Sequence, residues 1–346
     1  MGSRAKQLMP DVVALAMNVI GSVGFILVNK QLMSVYGYDF GYATTLAGIH
    51  LAITALMRIV PNTTRPLALK FIPPWEILWL SLVANTSIAG LYLSLMLNSV
   101  EFYQISKLST IPIVCVMEWI LHNKHYSREA KMSVLVVMTG VGACTVSEMK
   151  DNTKGFLCAC LAALSTSFQQ IYMGSLQKKY SVGRFELMSK TAPIQAVTLL
   201  LLGPFIDYYV SGIFLTDNKM SVGAVMFVFL SYTLAVFCNI TQYFQYLFIG
   251  QLHSVTLDSF ETVSVLILGW VLCDTSPTLK SILAVTVAVV GSVLYSWAVK
   301  VENQRLSTTK DFRSMDKILA ENETTMVKEE AGTKPVTDIE HGETNT

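Results

Sequence analysis

The chain has 346 residues, 52% hydrophobic and 14% charged, with a net charge of +1 and a mean hydropathy of +0.49. A soluble domain ordinarily carries about a quarter charged residues, so a soluble globular fold is excluded. The net charge of +1 says nothing about partners, and no nucleic-acid partner is expected; the surroundings that the composition demands are a lipid bilayer.

A helix needs about 20 apolar residues to cross a hydrocarbon core about 30 Å thick. Stretches of that kind recur from Val12 to Val299 and place spans at 11–32, 41–60, 75–97, 102–122, 131–147, 155–176, 186–206, 222–249, 254–273 and 278–299. Arg4 and Lys6 ahead of the run Val12 to Val28 resemble the start of a signal peptide. No A-x-A site follows, so the first span is expected to stay uncleaved. The expected organisation is a cytosolic tail at 1–10, a transmembrane domain at 11–299 and a disordered cytosolic tail at 300–346. That last segment mixes both charges and has too few aromatics to bury a core. The six cysteines, Cys115, Cys144, Cys158, Cys160, Cys238 and Cys273, fall in or beside apolar segments and are expected to pack rather than bind metal.

Basic residues set the orientation. With the N-terminus cytosolic, the cytosolic connections hold Arg58, Arg65, Lys70, Lys124, Arg128, Lys131, Lys178, Lys179 and Arg184. The opposite side holds Lys30, Lys150, Lys154, Lys219 and Lys280. Nine against five favours both termini in the cytosol. The chain also repeats itself. Glu118-Trp119-Ile120-Leu121 precedes a charged turn and a valine-rich helix ending Gly140-Val141-Gly142-Ala143-Cys144. Gly269-Trp270-Val271-Leu272 precedes a similar turn and a helix with Val290-Gly291-Ser292. The spacing from tryptophan to the second glycine differs by two residues. Five helices per half is an odd number, so the halves would cross in opposite directions. The fold class expected is therefore an all-α membrane protein of ten transmembrane helices in two inverted five-helix repeats, with a substrate site where the repeats meet.

An ionised side chain at bilayer depth costs roughly 2.5–3.5 kcal/mol on insertion scales and needs a reason to be there. The candidates are Lys107, Glu118, Lys190, Asp258 and Glu261, with Lys30, His50 and Asp207 nearer helix ends. Lys107 sits about five residues into its span, roughly 8 Å deep at about 1.5 Å per residue, among Tyr103, Gln104 and Ser106, and Pro112 loosens the helix beyond it. A lysine there either snorkels to the surface or faces a cavity, where it suits an anionic solute such as a phosphate. Lys190 and Glu118 lie closer to the cytosolic face. Gln169, Gln170, Asn239, Thr241 and Gln242 can read a base or sugar, or bond between helices. No H-E-x-x-H, G-x-S-x-G, P-loop or CxxC pattern occurs, so a transporter is expected rather than an enzyme, and no cofactor.

Several stretches resemble plant nucleotide-sugar transporters of the drug/metabolite transporter superfamily, nearest the UDP-rhamnose/UDP-galactose transporter group. They are Ala16-Met17-Asn18-Val19-Ile20, Val28-Asn29-Lys30-Gln31-Leu32-Met33, Phe102-Tyr103-Gln104-Ile105-Ser106-Lys107-Leu108-Ser109, Gly174-Ser175-Leu176-Gln177-Lys178-Lys179-Tyr180 and Ser189-Lys190-Thr191-Ala192-Pro193. The resemblance implies ten helices and exchange of a cytosolic UDP-sugar for lumenal UMP across the Golgi membrane. Substrate contacts are then expected at Lys30, Tyr103, Lys107, Gln170, Lys190, Asn239 and position 261. Where the family pattern carries a Lys-Thr pair, this chain has Glu261-Thr262, and a glutamate opposite Lys107 would repel a diphosphate. Altered specificity, an inactive paralogue acting as a scaffold, a locally wrong exon and a phosphorylated-metabolite exchanger all stay open. A homodimer is compatible with the fold.

Overall fold

The computed structural model describes residues 2–64, 71–212, 221–248 and 282–302, with short pieces at 263–265, 267–268, 279–280 and 304–305. The described residues are helical and contain no strand. In chain order the helices are α1 (Gly2–Met33), α2 (Ala43–Thr64), α3 (Pro74–Leu97), α4 (Val100–Leu108), α5 (Thr110–His122), α6 (Arg128–Asp151), α7 (Thr153–Tyr180), α8 (Arg184–Ser211) and α9 (Val222–Phe248). A further apolar helix runs over Ile282–Glu302. Seven stretches among the described residues are long and apolar enough to cross a membrane, with Ala43–Met57 a shorter apolar helix. The span expected at 254–273 and the tail expected from 300 fall mainly outside the described residues.

Two boundaries differ from expectation. Helix α1 begins at Gly2, so it includes residues expected to precede the first span, and its membrane-length portion is Ala16–Met33. The span expected as one helix over 102–122 is broken at Ser109 into α4 and α5. Pro112 explains the break, because it has no N–H to offer the Leu108 carbonyl. Neighbouring hydroxyls take up the loosened carbonyls: Ser109 Oγ donates to Ser106 O (2.5 Å) and Thr110 Oγ1 to Lys107 O (2.7 Å).

The helix ends follow local chemistry. Pro74 opens α3 at a position where a missing N–H costs nothing. Ser99 accepts from Phe102 N to cap α4, and Asn152 accepts from Gly155 N to cap α7. Asn123, Ser181 and Gly212, all left-handed, close α5, α7 and α8.

Packing is pairwise: α3 lies along α7, α2 along α8, and α1 along α9. Small residues let these backbones approach, as is usual between membrane helices. A Cβ on Gly90 would sit 3.0 Å from Ala162 Cβ, and one on Gly203 would sit 3.1 Å from Thr45 N. Large apolar side chains such as Trp79, Leu201 and Phe229 stay on the outside, where hydrocarbon rather than water covers them.

Candidate functional site

Lys107 occupies the last turn of α4, just before the break, where the negative end of the helix dipole favours a cation. Its Nζ lies 5.8 Å from the ring centroid of Tyr103, within range of a cation–π contact. Tyr103 is buried against Val19, Val23 and Ile26 of α1 and Leu93 of α3, in an apolar cluster that Tyr92 also borders. Between them in sequence, Gln104 is fully buried and neither its Oε1 nor its Nε2 has a hydrogen-bond partner among the described residues. An unmade hydrogen bond of this kind costs about 1–3 kcal/mol. The turn before the break thus presents a cation, an aromatic face and an amide with unused bonding capacity.

The other expected site residues are distributed around the molecule. Lys30 Nζ donates to the carbonyls of Leu95 (2.9 Å), Met96 (3.4 Å) and Asn98 (2.5 Å). Asn152 Nδ2 donates to the remaining carbonyl there, that of Leu97 (2.6 Å). A helix leaves its last carbonyls without intrahelical donors; here Lys30 and Asn152 satisfy those of α3. Lys190 pairs with Glu186 one turn earlier on α8, at 3.0 Å. Asn239 Nδ2 donates to Thr54 Oγ1 (2.9 Å) and Ala235 O (2.8 Å), tying α9 to α2. Gln170 is exposed on α7 and lines a cleft of about 340 Å³ with Glu118, His122, Lys124, Ser175 and Lys178, at the end of the bundle where α5 and α7 finish. Glu118 is engaged there by Lys124 at 2.6 Å and by the Tyr126 hydroxyl. Glu261 and Asp258 lie outside the described residues.

Two features were not assigned a site role from the sequence. His50, on α2, is buried at the centre of a directed chain of hydrogen bonds. Ser231 Oγ donates to Asn29 Oδ1 (2.5 Å), so it accepts from His50 Nε2–H (2.9 Å). His50 Nδ1 is then the acceptor for the Tyr92 hydroxyl (3.0 Å). Phe25, Tyr92 and Tyr232 surround the imidazole. The chain links α1, α2, α3 and α9, and Asn29 Nδ2 at its end is buried without a hydrogen-bond partner among the described residues. The second feature is Asp207, fully buried on α8, which receives Thr44 N (2.9 Å) and Thr44 Oγ1 (2.7 Å) on one oxygen. Its other oxygen receives Thr45 N (2.9 Å) and Thr45 Oγ1 (2.7 Å). A carboxylate thereby caps the N-terminus of α2, matching that end's partial positive charge. The signal available beforehand was only that an aspartate in an apolar segment needs partners.

A sequence profile of the Triose-phosphate Transporter family matches residues 12–296. The chain is 55% identical over 347 aligned positions, 99% of its own length and 98% of the relative's, to UDP-rhamnose/UDP-galactose transporter 1 of Arabidopsis thaliana. It is 59% identical to UDP-rhamnose/UDP-galactose transporter 2 of the same plant, over 86% of this chain and 85% of that one. UDP-xylose transporter 2, also of Arabidopsis thaliana, is 35% identical over 85% of this chain and 83% of its own length.

Proposed function

Since the chain belongs to the Triose-phosphate Transporter family, we propose that it is a nucleotide-sugar antiporter exchanging cytosolic UDP-galactose or UDP-rhamnose for lumenal UMP across the Golgi membrane. The observation that carries this reading is the near-complete alignment at 55% identity with a protein named for those two sugars, against 35% for one named for UDP-xylose. The site is centred on Lys107, which holds a phosphate, with the Tyr103 ring beside it to receive the base or sugar. Gln170 and Lys178 in the cleft at the α5 and α7 ends meet substrate on entry. Lys190, half-buried on α8, adds positive charge. Lys30 and Asn239 support the site by holding the α3 end and the α2–α9 seam.

The proposed architecture is ten spans in two inverted repeats of five, with the single span over 102–122 counted as α4 and α5. Under that pairing α1 corresponds to α7, α2 to α8, α3 to α9 and α6 to the helix Ile282–Glu302. The packing supports it: the correspondence turns the α3–α7 pair into the α9–α1 pair and maps the α2–α8 pair onto itself. A rocking of one half against the other across these seams would expose Lys107 alternately to each side.

The test is uptake of UDP-galactose and UDP-rhamnose into proteoliposomes preloaded with UMP, by this chain and by Lys107→Ala and Glu261→Lys. Uptake by the unmodified chain that disappears in Lys107→Ala supports the reading. Uptake seen only in Glu261→Lys favours a second reading, a non-transporting paralogue whose site the glutamate disables. Inhibition by inorganic phosphate but not by UMP would replace the substrate with a phosphorylated metabolite.

A further inference from the structure

Beside the cleft that holds Gln170, a larger groove of about 550 Å³ opens between α5, α6 and the connection joining them. Its walls are apolar. Val116 and Trp119 come from α5, Val134 and Leu135 from α6, and Val116, Trp119 and Leu135 are more than half exposed. Helix α5 is part of the membrane-length stretch Val100–His122, so hydrocarbon is what these side chains meet. The groove closes at the level where α5 ends at His122 and α6 begins at Arg128. A tryptophan at that level is where indole rings settle beside lipid headgroups.

The rim is basic. Lys124, His125 and Lys131 border the groove, and no carboxylate is among its described lining residues. Lys124 is matched by Glu118, and His125 and Lys131 are both exposed on the rim, where they can donate to an incoming headgroup. Apolar walls under a cationic rim, at the headgroup level of membrane helices, fit one class of occupant.

We propose that this groove binds one anionic phospholipid from the leaflet at this end of the molecule, its phosphate and headgroup carboxylate against Lys131 and His125 and an acyl chain between α5 and α6. Basic pockets between membrane helices recruit acidic lipids through the same combination of charge and apolar depth. The site lies apart from Lys107 and is independent of which sugar nucleotide is carried. A bound lipid here would brace the α5–α6 connection, whose Lys124 and Tyr126 both bond Glu118.

The experiment is native mass spectrometry of the full chain in detergent, titrated with palmitoyl-oleoyl phosphatidylserine, with the matching phosphatidylcholine, and with glycerol 3-phosphate. Retention of phosphatidylserine over phosphatidylcholine by about fivefold or more is expected, since each lysine near a headgroup contributes about one such factor. The double variant Lys131→Gln/His125→Gln should bring the ratio to about one while melting at the same temperature. Val116→Trp, which fills the groove, should lower retention of both lipids. Equal retention of the two lipids by the unmodified chain, an unchanged ratio in the double variant, or displacement of the lipid by glycerol 3-phosphate would overturn the proposal. Because uptake is not the readout, failure here leaves the transport reading standing.

Discussion

Gly140 of α6 and Gly291 of the helix Ile282–Glu302 mark two reciprocal contacts on one crossing. A Cβ on Gly140 would lie 2.6 Å from Ala288 N and 2.7 Å from Ala284 O, and one on Gly291 would lie 2.7 Å from Val137 N. Each glycine follows a tryptophan, Trp119 and Trp270 respectively, at the same spacing of 21 residues. Within the proposed repeat, Gly140 rather than Gly142 is the glycine whose spacing and contact match those of Gly291. Gly142 has open space in the Cβ direction.

Leucine at either contact glycine has no room, because the nearest atoms are backbone. Gly140→Leu and Gly291→Leu should each destabilise by about 1–3 kcal/mol. Gly142→Leu should be neutral or slightly stabilising, since leucine is a better helix former by roughly 0.5–1 kcal/mol. Thermal melts followed by circular dichroism in detergent measure all three, and a melt of Gly142→Leu as low as that of Gly140→Leu would refute the assignment.

Lys30 is engaged with the end of α3, so Lys30→Met leaves three carbonyls short of their donor. A loss of about 1–3 kcal/mol in stability is expected, with the KM for UDP-sugar unchanged in the protein that remains folded. A raised KM with an unaltered melting temperature would move Lys30 from the frame of the protein into contact with substrate.

Asp207→Ala removes the acceptor of four hydrogen bonds at the start of α2. The cost should be at least about 2 kcal/mol, more than an ordinary helix cap, because the Thr44 groups left behind are buried and those of Thr45 half-buried. Asp207→Asn keeps one acceptor and should fall between alanine and the native residue. Ranking the three melting temperatures checks this, and equal values for all would show that the cap carries no stability.

Tyr103 offers Lys107 its ring face, with Nζ 5.8 Å from the ring centroid. Tyr103→Phe should therefore keep uptake within about twofold. Tyr103→Leu should weaken substrate binding by roughly 2- to 30-fold, the range of a cation–π contact of about 0.5–2 kcal/mol. Concentration-dependent uptake in proteoliposomes distinguishes the two, and a large loss in Tyr103→Phe would assign the role to the hydroxyl instead.

Much of the frame was legible because it depends on neighbours in the chain. Apolar runs place membrane helices wherever hydration of the backbone is unavailable, and the sequence located α3, α7, α8 and α9 to within a few residues. Pro112 announced weakness beyond Lys107, and the break at Ser109 is its result. The expected Lys107–Tyr103 grouping also lies within one helical turn, so local geometry brings the two together. Gly140 and Gly142 show the limit. They are chemically identical and two residues apart, and only the phase of α6 against its partner decides which one takes the contact.

Hydrophobic length, proline and helical spacing act over a few residues, so the sequence alone marks this chain as a helical membrane protein, shows where most of its helices lie and places Tyr103 and Lys107 on one turn. That Lys30 caps α3, that Asp207 caps α2 and that His50 joins four helices follow from the packing of distant segments. Those partners stand 42 to 202 residues apart in the chain. A buried polar group bonds to whatever the packing brings within about 3 Å, and no local pattern records which group that will be.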